Sequence, residues 1–175
     1  KPLGTGILAT AVKRSLLQEE HYEGLLQNMI TLNSIGAALG KMESVHAVTD
    51  VTGFGLLGHL LEMAEGSGLG AQLYYNLIQK LPGVETYLQQ RITPDATFRN
   101  WNSFSPKVQF EKGVNVMEAF NLLPDPQTNG GLLIAVSPEN AEEVKTLFKS
   151  QNLEYFMNPI GICTAPADKT IRVQL

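Results

Sequence analysis

A single cysteine, Cys163, stands in a chain of 175 residues. It can close no internal disulfide and leaves no thiolate cluster for zinc, which points to a reducing compartment, the cytoplasm. Positive charge is also short. Thirteen Lys and Arg face 17 Asp and Glu, a formal net charge of −4, so no basic stripe is at hand to displace counterions from nucleic-acid phosphates, and that partner class is excluded. No apolar run approaches the roughly 18 residues of a bilayer span, nothing resembles a signal peptide, and a membrane partner is excluded with them. The ATP-binding pattern G-x-x-x-x-G-K-[ST] is missing. The chain also opens on Lys1-Pro2-Leu3-Gly4 without a Met, which reads as a piece processed or cut from something longer.

What remains is ordinary globular material, 43% hydrophobic and 17% charged. At 19.1 kDa such a chain should expose roughly 8,400 Å² and bury about 70% of its unfolded surface, enough for one core and one domain. Helical spacing of Ile7, Leu8, Ala11, Val12 and Leu16 predicts a first helix, and Leu25, Met29, Leu32, Gly36 and Leu39 predict a second from about Tyr22 to Leu39, stopped by Gly40. Val45 to Thr49 suits an interior strand ending at Asp50. Leu56 to Ala64 reads as a helix, Gln72 to Tyr75 as a strand and Val84 to Gln90 as a short helix. Residues 93–113 show no clean period and read as a long loop or irregular insertion. Val114 to Leu123 reads as another helix and Leu132 to Val136 as a buried strand. Ser137 is placed to cap the helix that starts at Pro138. Ile160-Gly161-Ile162 and Ile171-Arg172-Val173 close the chain as strands. Elements that interleave this irregularly predict an α+β domain with a mixed sheet covered by helices.

Three segments could carry chemistry. Thr49-Asp50-Val51-Thr52-Gly53-Phe54-Gly55-Leu56-Leu57-Gly58 puts a carboxylate at a strand end, then a glycine-rich turn, then a helix start. Helix N-termini favour anions, glycines admit a phosphate, and an Asp beside them could hold Mg²⁺. Gly53 to Gly58 also fits the dinucleotide fingerprint G-x-G-x-x-G. That pattern needs an acidic residue at the end of the next strand, where this chain has Leu73-Tyr74-Tyr75-Asn76, so an oxidoreductase is set aside. A plainer role suits the same residues, with glycines making a tight turn and Asp50 capping the helix. On pattern alone that role has the stronger claim.

Pro124-Asp125-Pro126-Gln127-Thr128-Asn129-Gly130-Gly131 is a rigid loop with N–H donors before a strand, or else an ordinary turn. Lys1 to Gly6 sets a lysine and two glycines ahead of a helix, and such a lysine is usually solvated. His21, His46 and His59 form no zinc-type cluster, because His46 and Asp50 lie roughly 13 Å apart along a strand. No Ser-His-Asp or Cys-His set is readable, and Cys163 sits in an apolar strand, where it reads as core.

Taken together and in order, Lys-Pro-Leu-Gly-Thr-Gly at 1–6, Thr-Asp-Val-Thr-Gly-Phe-Gly-Leu-Leu-Gly-His at 49–59 and Asp-Pro-Gln-Thr-Asn-Gly-Gly-Leu-Leu at 125–133 resemble the C-terminal half of the selenophosphate synthetases (selenide, water dikinases). Residues 77–120 carry little of the likeness. The resemblance implies a two-domain enzyme related to aminoimidazole ribonucleotide synthetase, turning selenide, ATP and water into selenophosphate, AMP and orthophosphate. It implies a three-layer α/β/α domain, partly ferredoxin-like, spanning 1–175 as the C-terminal domain. The catalytic residues, most of the ATP site and the main homodimer interface would lie in an N-terminal domain absent from this chain, and the fragment alone would be inactive. By position, Asp50 matches an Asp that helps hold Mg²⁺ against ATP, while Gly53 and Gly55 support it. Asn129, Gly130 and Gly131 face the nucleotide cleft or the other domain; the family more often has Ser at the place of Asn129. Another ATP-dependent member of the superfamily, from purine or thiamine metabolism, and a non-catalytic partner-binding domain are the alternatives.

Overall fold

The computed structural model describes all 175 residues. Helix α1 (Thr5–Lys13) buries Thr5, Ile7, Leu8 and Ala11. Helices α2 (Glu19–Ile30) and α3 (Gly36–Leu39) lead to strand β1 (Val45–Asp50) and helix α4 (Gly55–Gly66). Strand β2 (Gly70–Tyr74), helices α5 (Val84–Gln89) and α6 (Asp95–Phe104), strand β3 (Val108–Phe110) and helix α7 (Val116–Leu122) follow. Strand β4 (Leu132–Val136), helix α8 (Ala141–Ser150) and strands β5 (Gly161–Thr164) and β6 (Ile171–Gln174) complete the chain.

The strands form two sheets. One has four strands in the order β3-β6-β2-β5, with β2–β6 and β3–β6 parallel and β2–β5 antiparallel, so it is mixed. The other is an antiparallel pair, β1–β4, that sets Asp50 opposite Leu132. One core joins them. Ile7 and Leu8 of α1, Leu57 of α4, Leu73 of β2, Tyr87 of α5, Leu122 of α7 and Ile171 and Val173 of β6 belong to a single buried cluster, each large side chain adding about 1.5–3 kcal/mol. The α+β class with a mixed sheet is thus as predicted, whereas the separate two-stranded sheet is additional.

Five local expectations change. The helix predicted from Tyr22 to Leu39 breaks after Ile30, and Leu32 is 77% exposed rather than on a buried stripe. The cause is tertiary: the carbonyls of Met29 and Thr31 are taken by the Asn129 amide, and the Thr31 carbonyl also by the Lys1 ammonium. Residues 93–113 contain α6 and β3 rather than a loop. The period was hidden because α6 buries polar residues, Thr97 and Asn100. Strand β1 is not interior, since it pairs with β4 alone and exposes His46, Val48 and Asp50 in alternation. Ser137 does not cap a helix; its hydroxyl bonds His46 Nε2 at 2.7 Å, and a 3-10 turn precedes α8. Cys163 is exposed on β5, an outer strand, and is not core.

Candidate functional site

The three sequence motifs, remote from one another along the chain, meet at one place. The N–H groups at the start of α1 are capped from the Pro124–Gly131 loop. Gln127 Oε1 accepts from Gly4 N, Thr5 N and Thr5 Oγ1 at 3.2, 3.3 and 2.9 Å, and Asp125 Oδ2 accepts from Gly6 N at 3.1 Å. The Gln127 amide donates back to Asp125 Oδ2 at 2.8 Å. The same loop clasps the end of β1 through Val51 N to Gly131 O at 2.8 Å and Gln127 N to Thr52 O at 2.9 Å. Asn100 of α6 closes the cluster from below, donating to Gly53 O at 2.8 Å and Pro124 O at 3.0 Å.

This packing explains most of the glycines. Gly55 has φ 68°, and a Cβ there would lie 2.6 Å from the Pro124 carbonyl carbon; at Gly130 it would lie 2.1 Å from the Val51 oxygen. A Cβ at Gly131 would meet Lys1 N at 2.5 Å. These three predicted binding residues are therefore glycine because the chain's own backbone fills the space. Gly53 differs: it is exposed and nothing lies within 4 Å of a Cβ built on it. Asn129 has φ 49°, and its side chain is committed to Met29 O at 2.6 Å and Thr31 O at 3.1 Å. Lys1, read as a solvated lysine, instead donates to Thr31 O at 2.6 Å and Asn129 O at 2.7 Å, and partial burial lowers its pKa.

Asp50 stands at the rim of this cluster. Its carboxylate is exposed and takes part in no hydrogen bond or ion pair, and α4 has no side-chain cap, so the plainer role of helix cap does not apply. Close by, the N–H groups of the exposed residues Gly53, Phe54 and Asn129 find no acceptor within the chain. A free carboxylate beside free backbone donors suits a cation and the anion it neutralises. No group of three or more His, Cys, Asp or Glu could hold a metal ion unaided. Asp50 therefore fits Mg²⁺ as one ligand of a hard cation whose other ligands are water and phosphate oxygens.

Sequence reasoning missed two features. Asp125, placed between two prolines, is fully buried, and burial pushes its carboxyl up to about 8 against the pull of Gln127 and backbone N–H groups. Its Oδ1 has no partner. Thr52, His59 and Glu62 also form a sequence of polar contacts: Thr52 Oγ1 lies 3.3 Å from His59 Nε2, and His59 Nδ1 lies 3.2 Å from Glu62 Oε2. The spacing of His59 and Glu62, three apart on a helix, was the available signal.

Known proteins share this architecture. HypE from E. coli superposes with a TM-score of 0.67 at 20% identity, covering 98% of this chain and 44% of that one. Thiamine-monophosphate kinase from Stenotrophomonas maltophilia superposes with a TM-score of 0.61 at 17% identity, covering 98% and 47%. The fold is that of an α+β domain found as part of larger chains. More particularly, residues 1–174 match the family model described as AIR synthase related protein, C-terminal domain, and the chain belongs to that family. The selenide, water dikinase of Enterobacter sp. (strain 638) is 50% identical over 145 residues, 83% of this chain and 41% of that protein. That of Pseudomonas putida is 46% identical over 162 residues, 92% and 45%. The chain thus spans less than half the length of the curated relatives it matches.

Proposed function

We propose that this chain is the C-terminal domain of an ATP-dependent enzyme that makes selenophosphate from selenide, ATP and water, releasing AMP and orthophosphate. The observation that carries the reading is Asp50, an exposed carboxylate with no structural task at the meeting point of three motifs. The extent and level of identity to the selenide, water dikinases support the substrate assignment over purine or thiamine chemistry.

Mg²⁺, when bound, neutralises and orients the ATP phosphates, which is most of what phosphoryl transfer requires. Asp50 supplies one oxygen for that purpose. The free N–H groups of Gly53, Phe54 and Asn129 orient phosphate oxygens by donating to them. The clasp of Gln127 N on Thr52 O keeps the two donor loops in register. Gly55, Gly130 and Gly131 act beneath them, by letting the loops approach.

The missing share of the enzyme is an N-terminal domain that completes the nucleotide site, in a cytoplasmic homodimer. The surface supports a docked partner. It measures 9,517 Å², about 1,100 Å² more than a closed globule of this mass exposes. Leu32 is 77% exposed and Ile30 60%, beside the Lys1–Asn129 junction. The test is AMP and orthophosphate formation by the intact enzyme. The reading expects both to depend on added selenide and to vanish in Asp50→Ala with the fold intact. ATP consumption indifferent to selenide would move the chain to another member of the superfamily, and near-normal turnover in Asp50→Ala would reduce it to a partner-binding domain.

A further inference from the structure

Lys80, Lys107 and Lys145 each pair with a glutamate. Lys1 does not. Its ammonium is held between two backbone carbonyls, donating to Thr31 O at 2.6 Å and Asn129 O at 2.7 Å, and it makes no ion pair with any carboxylate of the chain. Burial lowers its pKa, and no neighbouring carboxylate raises it again. An ammonium carries three hydrogens, so one is left without an acceptor. A lysine costs rotamer freedom to hold in place, yet here its seat is fixed from several sides. The Asn129 side chain donates to Met29 O at 2.6 Å and Thr31 O at 3.1 Å, and Asn33 Nδ2 donates to Gly130 O at 2.8 Å.

Part of this arrangement serves the fold. Helix α2 has no basic residue in its last turn, and Lys1 with Asn129 satisfies carbonyls left open where it ends. That task asks only for hydrogen-bond donors, which an uncharged amide supplies as well. It leaves the positive charge unanswered, because carbonyl dipoles gather round a cation without neutralising it. Asn129 points to the anion that does. Its N–H has no acceptor in the chain, and its carbonyl is the one that Lys1 holds. Covalent geometry then keeps the ammonium and that N–H within about 6 Å of each other, a gap that one phosphate group spans.

We propose that Lys1 is a phosphate-binding residue, its ammonium and the Asn129 N–H grasping one phosphate group together. The proposal rests on the reading of this domain as part of an ATP site. The group is a phosphate of bound ATP or the orthophosphate released from it; both present the same oxyanion, and a compact ammonium suits either. Asp50 acts on the phosphates through a cation, whereas Lys1 meets one directly. Held by carbonyls beforehand, the ammonium needs little reordering when the anion arrives.

The test measures binding to the intact enzyme by calorimetry, with ATP in the presence of Mg²⁺, orthophosphate and adenosine as probes. Lys1→Gln, which keeps donors for the two carbonyls, should bind ATP at least about 10-fold more weakly, the loss of one charged hydrogen bond. Lys1→Arg should stay within about threefold of the parent, since it keeps the charge and the donors. Adenosine, which has no phosphate, should bind all three alike. Weakening of ATP and orthophosphate together assigns the contact to the group that leaves as orthophosphate; weakening of ATP alone assigns it to another phosphate of the nucleotide. Lys1→Gln with ATP affinity within about threefold of the parent overturns the proposal. So does a loss that adenosine shares or that Lys1→Arg fails to recover. A parent that binds no ATP overturns instead the reading on which the proposal rests.

Discussion

The end of β1 and the Pro124–Gly131 loop are clasped together by backbone hydrogen bonds, yet they treat their aspartates in opposite ways. The Asp50 carboxylate is exposed and bonded to nothing. Asp125 is fully buried, caps α1 through Gly6 N and is held by Gln127. A buried carboxyl with an unpartnered oxygen is costly, and it persists because it ties the start of α1 to its own loop through Gly6 and Gln127. An exposed carboxylate with no partner costs almost nothing and does nothing for the fold. The contrast teaches that motif membership alone does not say what a residue is for; its burial and partners do.

Substitutions can sharpen that contrast. Gly130→Ala should be the most damaging, since its Cβ would sit 2.1 Å from the Val51 oxygen and 2.8 Å from Gln127 Cβ. A loss of about 3 kcal/mol in urea unfolding is expected. Next comes the pH dependence of Asp125. Its folded-state value of about 8 lies above the ordinary 3.8, so the folded chain keeps a proton that the unfolded chain releases. The stability this group contributes is full below 3.8 and is lost as pH rises through about 8. Asp125→Asn should flatten that slope, with a variant at least as stable as the parent above pH 8, and a parent whose unfolding midpoint rises across the range would contradict it. Asn100→Ala should cost about 1–3 kcal/mol, because it strands the Gly53 and Pro124 carbonyls. Gly53→Ala and Cys163→Ser should change stability by no more than about 0.5 kcal/mol, as both positions face solvent.

Much of the fold was legible because apolar spacing reports it. Helices α1, α4 and α5 and strands β2, β4, β5 and β6 follow from such spacing. Helix α6 was hidden because what it buries is Asn100, which serves the carbonyls of two other segments. The break between α2 and α3 was hidden for a related reason: Thr31 O is drawn off by Lys1 and Asn129, residues remote in sequence. The candidate site was legible as three motifs, and Asp50 stood out among them as a strand-end carboxylate. Which glycines face a ligand and which face the chain itself was not legible, because Gly53 and Gly130 look alike until Val51 and Gln127 are placed beside one of them. Nor could the sequence show that Asp125, flanked by prolines, is turned inward.

The central claim is that Asp50 serves a reaction and not the fold. Asp50→Asn in the intact enzyme, measured for thermal unfolding and selenide-dependent AMP release in one preparation, tests it most directly. Asp50→Asn should unfold with a free energy within about 0.5 kcal/mol of the parent and release no detectable AMP. A variant that keeps its turnover, or one that loses turnover because it unfolds, contradicts the claim.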